Sequence, residues 1–288
     1  MRQIQDIKKL KKSTQKTAKI THAMQLVSAS KLAKTQQNKD RSKEYSLKIR
    51  EVVGHISSGT QTVTHPYIQG YKNTETICII IVSTDRGLCG NLNSSLFKRA
   101  LESISNWQQE NIQIEIATVG KKARQFFEKM GFPIIAHAEN LADLPQTESL
   151  LPILQTSTTK FKAGLVQEVH LFYNQFINTM TQKAQAEQIL PVEKLPVSTR
   201  SYQSEYEYEP DAETVLLTAL DRYIESIIYQ AVVENIASEQ AARMLAMKNA
   251  TDNARNIIYE LNLAYNKARQ ALITGEIAEI VAGAEALN

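Results

Sequence analysis

A chain of 288 residues, 43% hydrophobic and 22% charged, has the composition of a soluble globular protein with one or two domains. Its longest apolar stretch, Ile77–Val82, is far short of the ~18–20 residues that span a bilayer, and two cysteines, Cys78 and Cys89, fit a reducing compartment better than a disulfide scaffold. The net charge of +3 hides an asymmetry: residues 1–50 hold fourteen Lys or Arg and three acids, Asp6, Asp40 and Glu44.

The N-terminal sequence Met1-Arg2-Gln3-Ile4-Gln5-Asp6 enters a helical pattern directly, without the apolar core of a secretory signal, so none is expected. No glycine precedes Gly54 and no proline precedes Pro66. About 57 uninterrupted residues at ~1.5 Å each predict a helix of roughly 85 Å. Ile4, Ile7, Thr14, Ala18, Thr21, Met24, Ser28 and Leu32 share one stripe of it. The basic face of this helix suits nucleic acid, an anionic membrane or acidic protein loops. It lacks interleaved stacking aromatics and any nucleic-acid motif, which favours an acidic protein partner over nucleic acid.

From about residue 76 the pattern changes to alternating strands and helices. Thr76–Ser83 reads as a strand buried on both faces, and Ser94 as the cap of a helix reaching Trp107. A strand at Ile112–Val119 is followed by a helix, Lys121–Met130, set between Gly120 and Gly131. A short strand near Phe132–Ala136, a helix around Thr147–Lys162 and strands at Val169–Asn178 and Thr179–Leu190 complete the pattern. This alternation predicts a doubly wound, Rossmann-like α/β sheet. Pro191–Pro210 then leads into a second long helix.

Between Pro210 and Gly275 there is neither glycine nor proline, so the terminal helix is expected to exceed 100 Å. Its stripe runs through Leu216, Leu220, Tyr223, Ile227, Ala237, Ala241, Met244 and Ile258. The two long helices most simply pair as a long antiparallel coiled coil carrying the α/β domain. The expected division is 1–58 and 210–288 for the helices and 59–209 for the domain. Small seam residues allow close approach but bury less apolar area, at ~0.8 kcal/mol per methylene, than a leucine zipper. The outer surface is expected to carry Ser28, Ala29, Ser30, Gln36, Gln37 and Asn38 on one helix. On the other it should carry Gln240, Asn249, Asn253, Asn262 and Gln270.

The turn Asp85-Arg86-Gly87-Leu88-Cys89-Gly90 follows the first buried strand, where dinucleotide-binding folds place a phosphate loop. It has neither G-x-G-x-x-G nor the P-loop pattern, and chain reversal is its simpler reading. The five histidines, at 22, 55, 65, 137 and 170, form no motif that would activate Cys89. No catalytic residue, cofactor site or metal ligand is assigned.

Four blocks carry a resemblance. They are Ile20-Thr21-His22-Ala23-Met24-Gln25-Leu26-Val27-Ser28-Ala29-Ser30-Lys31; Asp85 through Asn93; Ala237 through Met244 with Asn249 through Ala254; and Ile273-Thr274-Gly275-Glu276 through Gly283-Ala284-Glu285-Ala286. The last satisfies I-T-x-E-x-x-[DE]-x-x-x-G-A-x-A. The chain resembles, from end to end, the gamma subunits of bacterial F-type ATP synthases. Gly275 departs from the usual Gln or Lys, and Asn91 stands where a second glycine is common.

The resemblance implies a non-catalytic central-stalk rotor, one copy per complex, turning inside a hexamer of alpha and beta subunits. The α/β domain would sit beside the epsilon subunit and the c-ring. It implies no cofactor and no nucleic acid, and a place peripheral to the membrane at the cytoplasmic face of the bacterial plasma membrane. Lys9, Lys12, Lys19, His22, Met24 and Lys31 would face the acidic loops of beta. Arg243, Arg269 and Gln270 would serve the second helix's contacts with the hexamer, and Tyr206, Glu207, Tyr208 and Glu209 the foot on the c-ring. A nucleic-acid-binding helical protein and a nucleotide-binding α/β enzyme are the rival readings.

Overall fold

The computed structural model describes residues 2–59, 65–192, 209 and 211–285. Its elements follow the predicted order. Helix α1 spans Arg2–Gly59 and the short α2 Pro66–Gln69. The α/β region contains β1 (Thr76–Val82), α3 (Leu92–Gln109), β2 (Gln113–Val119), α4 (Lys121–Lys129) and β3 (Ile134–Ala138). A 3₁₀ turn at Thr147–Leu150 leads into α5 (Leu151–Lys162), β4 (Glu168–Phe176) and β5 (Gln182–Leu190). The terminal helix α6 covers Ala212–Glu285. Both long helices contribute to two compact units, one of residues up to Ser28 and from Arg243, the other of Ala29–Ala242.

In the first unit the helices meet through small polar side chains. The Thr21 and Thr251 hydroxyl oxygens are 2.7 Å apart and buried. Each hydroxyl also has a carbonyl of its own helix within reach, Thr21 that of Ala18 at 3.2 Å and Thr251 that of Met247 at 2.8 Å. Met247 and Ala254 are buried around them. Beyond Leu272 the described α6 side chains are all exposed, Ile273, Ile277, Ile280 and Val281 among them. The helix runs straight through Gly275, which has nothing within 4 Å of a Cβ built there. Gly275→Ala is therefore expected to raise local helix stability by about 1 kcal/mol. Slower amide exchange at residues 272–280 would show it; unchanged exchange would mean that the glycine costs the helix nothing.

The second unit is built on a five-stranded sheet of order β3-β2-β1-β4-β5, parallel except for β5, which runs antiparallel to β4. Strand β1 is central, and its apolar run supplies both faces. Ile77, Ile79 and Ile81 pack with Leu96, Phe97 and Ile104 of α3 and Ala123 and Phe127 of α4. Cys78, Ile80 and Val82 pack with Ile153, Leu154 and Phe161 of α5 and with α6 from Leu216 to Ile236. Helices therefore cover both faces, as in a doubly wound fold. Segments of α1 and α6 pair here as well. Ser46 and Ser226 approach to 3.0 Å between hydroxyl oxygens, while Val53, further along α1, shares a core with Leu216 and Leu220, further back on α6. The two helices are antiparallel.

Three local expectations need correction. Helix α3 begins at Leu92, with Asn91 at the cap position, so Ser94 lies exposed inside the helix instead of capping it. The start is set by Leu92, buried at 4%, and by Asn93, whose amide donates to Thr84 Oγ1 at 2.7 Å. Ser28 is 2% exposed and points inward, because it belongs to a seven-residue series with Thr14, Thr21, Thr35 and Ser42. Gln240, at 4%, is also buried, following the run Ala231–Ser238 in which every residue is buried.

Candidate interaction surfaces

The residues singled out on the long helices fall into three groups. Lys9, Lys12, Lys19 and His22 are exposed on α1, and Arg269 and Gln270 on α6. Lys8 and Lys16 are exposed on the same stretch of α1, where the only acid is Asp6, so this face presents almost undiluted positive charge. Met24 is half-buried. Arg243 is only 8% exposed, so its guanidinium is largely covered by the chain itself.

Lys31, in the second unit, forms an ion pair with Asp143 at 2.8 Å, with both side chains about two-fifths exposed. Such a pair contributes little stability in water, typically under ~1 kcal/mol, and exchanges readily for another acidic partner. Of the foot residues, Glu209 is exposed, while Tyr206, Glu207 and Tyr208 lie outside the described residues.

Open α/β sheets take ligands beyond the C-terminal ends of their strands. Here the protein's own side chains fill the crevice beyond β1 and β2. Asp85 Oδ1 accepts from Lys121 N at 2.9 Å and its Oδ2 from Leu141 N at 3.1 Å. The carboxylate thus occupies the N-terminal end of α4, the position an anionic ligand would seek. Thr84 Oγ1 donates to Arg86 O at 2.7 Å and holds the turn shut. The space left among Ser83, Gly120, Leu141 and Asn235 is about 30 Å³, room for a water and not for a nucleotide. Among the described residues no group of three His, Cys, Asp or Glu side chains could hold a metal ion, and no helix is long and apolar enough to cross a membrane.

Sequence reasoning missed a polar network behind this crevice. Asn235 Nδ2 donates to Ser83 O at 3.1 Å, Asn174 Nδ2 to Asn235 Oδ1 at 2.9 Å, and Ser238 Oγ to Asn174 O at 2.9 Å. All four residues are buried. The available signal was the pattern Ala231-Val232-Val233-Glu234-Asn235-Ile236-Ala237-Ser238, where polar residues interrupt an apolar run too wide for one helix stripe.

Glu234, in the same run, is 6% exposed, with its Oε2 unpartnered and its Oε1 accepting from Gln230 at 3.2 Å. Burial raises its pKa above the ordinary value, against the opposing Gln230 hydrogen bond and the nearby Lys39 and Lys43 charges. A carboxyl that holds its proton more tightly when folded costs stability as pH rises through its raised pKa, and this cost vanishes below the unfolded value of about 4.3. Glu234→Gln is thus expected to match or exceed wild-type stability at pH 7, with the advantage shrinking toward pH 4. Urea melts of the two chains at both pH values would show this; an advantage that grows on acidification would mean the carboxylate is held ionised.

The family model described as ATP synthase matches residues 3–287. The ATP synthase gamma chain of Legionella pneumophila (strain Corby) is 47% identical over 277 residues, covering 96% of each chain. That of Xanthomonas campestris pv. campestris (strain B100) is 43% identical over 282 residues, covering 98% of each. Among solved structures, a chain from the central stalk and c-ring of the Tetrahymena thermophila mitochondrial ATP synthase superposes with a TM-score of 0.60 at 23% identity. It covers 80% of this chain and 99% of that one. A chain of the Euglena gracilis mitochondrial enzyme gives 0.59 at 19% identity, covering 92% and 95%. These last two agree with this chain in fold. With that architecture and near-complete matches above 40% identity, the chain belongs to the ATP synthase gamma-chain family.

Proposed function

We propose that this chain is the central-stalk rotor of a bacterial F-type ATP synthase. It would couple ion flow through the c-ring to ATP synthesis or hydrolysis at the hexamer of alpha and beta subunits. The observation that carries this reading is the 42–47% identity to curated gamma chains over nearly the whole chain. In this reading the chain hydrolyses nothing itself. Residues 1–58 and 210–288 are the shaft and 59–209 the domain that meets epsilon and the c-ring. The exposed Lys9, Lys12, Lys19 and His22 face acidic loops of beta, with Met24 and Lys31 on the same contact path. Arg243, Arg269 and Gln270 serve the second helix, and Tyr206, Glu207, Tyr208 and Glu209 the foot. One copy would sit in each complex, peripheral to the plasma membrane on its cytoplasmic side. The filled crevice at Asp85 supports coupling over nucleotide chemistry in this chain.

An affinity-tagged chain expressed in its own cell should bring alpha, beta, epsilon and the c-ring from detergent-solubilised membranes. Recovery of the chain without alpha and beta would overturn the reading. Salt-dependent nucleic-acid binding or micromolar ATP binding by the chain alone would then favour one of the rivals.

This rotor should not respond to thiol redox state. Cys78 is fully buried in β1, where burial pushes its thiol pKa up to about 12. Cys89 is 3% exposed, packed with Leu92 and Ala242, and its Sγ accepts from Asn93 Nδ2 at 3.7 Å. ATPase activity of the assembled complex should be equal after oxidant and after dithiothreitol. Reversible activation by reductant that disappears in Cys89→Ser would refute this.

A further inference from the structure

Hydrogen bonds of different strength fasten helix α6 to the α/β elements, among them Tyr229 Oη to Pro145 O at 3.2 Å, and two sites contrast most. At Asn235 the buried network joins α6 to β4 through Asn174 and to the end of β1 through Ser83. Ser83 passes the connection on, its hydroxyl donating to Val119 O at 3.1 Å and accepting from Ala123 N at 2.8 Å. Fourteen residues earlier, Asp221 accepts from Tyr67 Oη at 3.0 Å and pairs with Lys162 at 3.1 Å. Tyr67 is fully buried, and its carbonyl accepts from Val192 N at 2.7 Å, but Asp221 and Lys162 are nearly half exposed. Fourteen residues are two heptads, so both fastenings lie on about the same side of α6, roughly 21 Å apart.

Apolar packing is non-directional and lets a helix roll or slide over a sheet with small change in buried area. A buried hydrogen-bonded network does not, because any displacement leaves amide groups unpaired away from water. The solvent-screened Asp221–Lys162 pair resists less. We infer that Asn235, bonded to Asn174 and to Ser83, is the positioning residue through which torque passes between the sheet and helix α6. The inference rests on the rotor reading and names the residues that carry its load.

The test uses the assembled complex, with the hexamer fixed to a surface and a probe on the α/β unit. Rotational stiffness is read from the probe's thermal angular fluctuation, and assembly yield and melting temperature are measured in parallel. Asn235→Ala is expected to soften the rotor about twofold, since the most buried fastening is lost and those that remain, at Asp221 and Tyr229, are closer to solvent. Ser238→Ala, which removes a single bond, should soften it less, and Tyr67→Phe least. Wild-type stiffness in both Asn235→Ala and Ser238→Ala, even with a lowered melting temperature, would overturn the inference and leave the network a stabilising feature alone. If Asn235→Ala does not assemble, Ser238→Ala decides in the same way. A wild-type probe that fails to turn on ATP addition would instead overturn the rotor reading, whatever the variants show.

Discussion

A chain carrying Lys9→Glu, Lys12→Glu and Lys19→Glu is expected to fold normally and to fail in the complex. All three side chains are exposed on α1, and among the described residues none forms an ion pair or hydrogen bond that reversal would remove. Helix propensity changes by only tenths of a kcal/mol, since Lys and Glu are both good helix formers. Each substitution shifts the charge by two units, so the net charge of residues 2–22 falls from +6 to zero and three carboxylates stand where lysines did. If the surrounding sleeve is acidic, like-charge juxtaposition costs several kcal/mol, and assembly or coupled turnover should fall by tenfold or more. Exposed charges are screened over about 10 Å at 0.1 M salt, so raising ionic strength should restore part of the loss. Circular dichroism of the isolated variant should match wild type. Wild-type assembly and turnover would show that the basic face serves solvation only.

The second large effect concerns Gly120, at the junction of β2 and α4. Its φ is +89°, and a Cβ there would lie 2.6 Å from Ser83 O, a backbone atom already bonded to Asn235. Gly120→Ala must therefore accept a left-handed backbone and displace the end of β1, or break the network that fixes it. A loss of about 3 kcal/mol or more is expected. Gly131→Ala provides the control: its φ is +83° with nothing within 4 Å of the added carbon, so only the backbone cost of about 1 kcal/mol applies. Urea unfolding of the α/β unit followed by Trp107 fluorescence would separate the two. Equal losses would mean that the end of β1 yields to the added methyl at no cost.

What the sequence disclosed, it disclosed through periodicity and punctuation. The absence of Gly and Pro from residues 1–53 and 211–274 marked both long helices, and the run Thr76–Ser83 read as a strand covered on both faces, which forms over Thr76–Val82. Gly120 and Gly131 bracketed α4 to within a residue. The misreadings share a cause: a polar residue's side was judged from its chemistry. Polarity assigns Gln240 outward, and Ser28 falls both on the seam stripe and on the expected outer surface; the heptad and the buried run put both inside. The Asn174–Asn235–Ser83 network was out of reach for a related reason. Its members lie on three elements up to 152 residues apart, and no local pattern reports which amide faces which carbonyl. Among the proposed contact residues, exposure at Lys9, Lys12 and Lys19 follows from helix phase, whereas the pairing of Lys31 with Asp143 depends on a loop after β3 that only the folded chain brings near.

The hydroxyl-lined seam inverts the usual tolerance of a helix pair to substitution. Thr14, Thr21, Thr35 and Thr251 each donate or lean toward a carbonyl three or four residues back in their own helix, so their polar groups are satisfied without the partner helix. In a leucine zipper, truncating a seam residue opens a cavity and is the damaging change. Here truncation removes at most a methyl and a locally paired hydroxyl, while enlarging any of these positions forces the backbones apart, at typically 1–3 kcal/mol. Natural drift at these sites should therefore run among Ala, Ser and Thr, and an engineer seeking to stiffen the pair with larger apolar residues would weaken it.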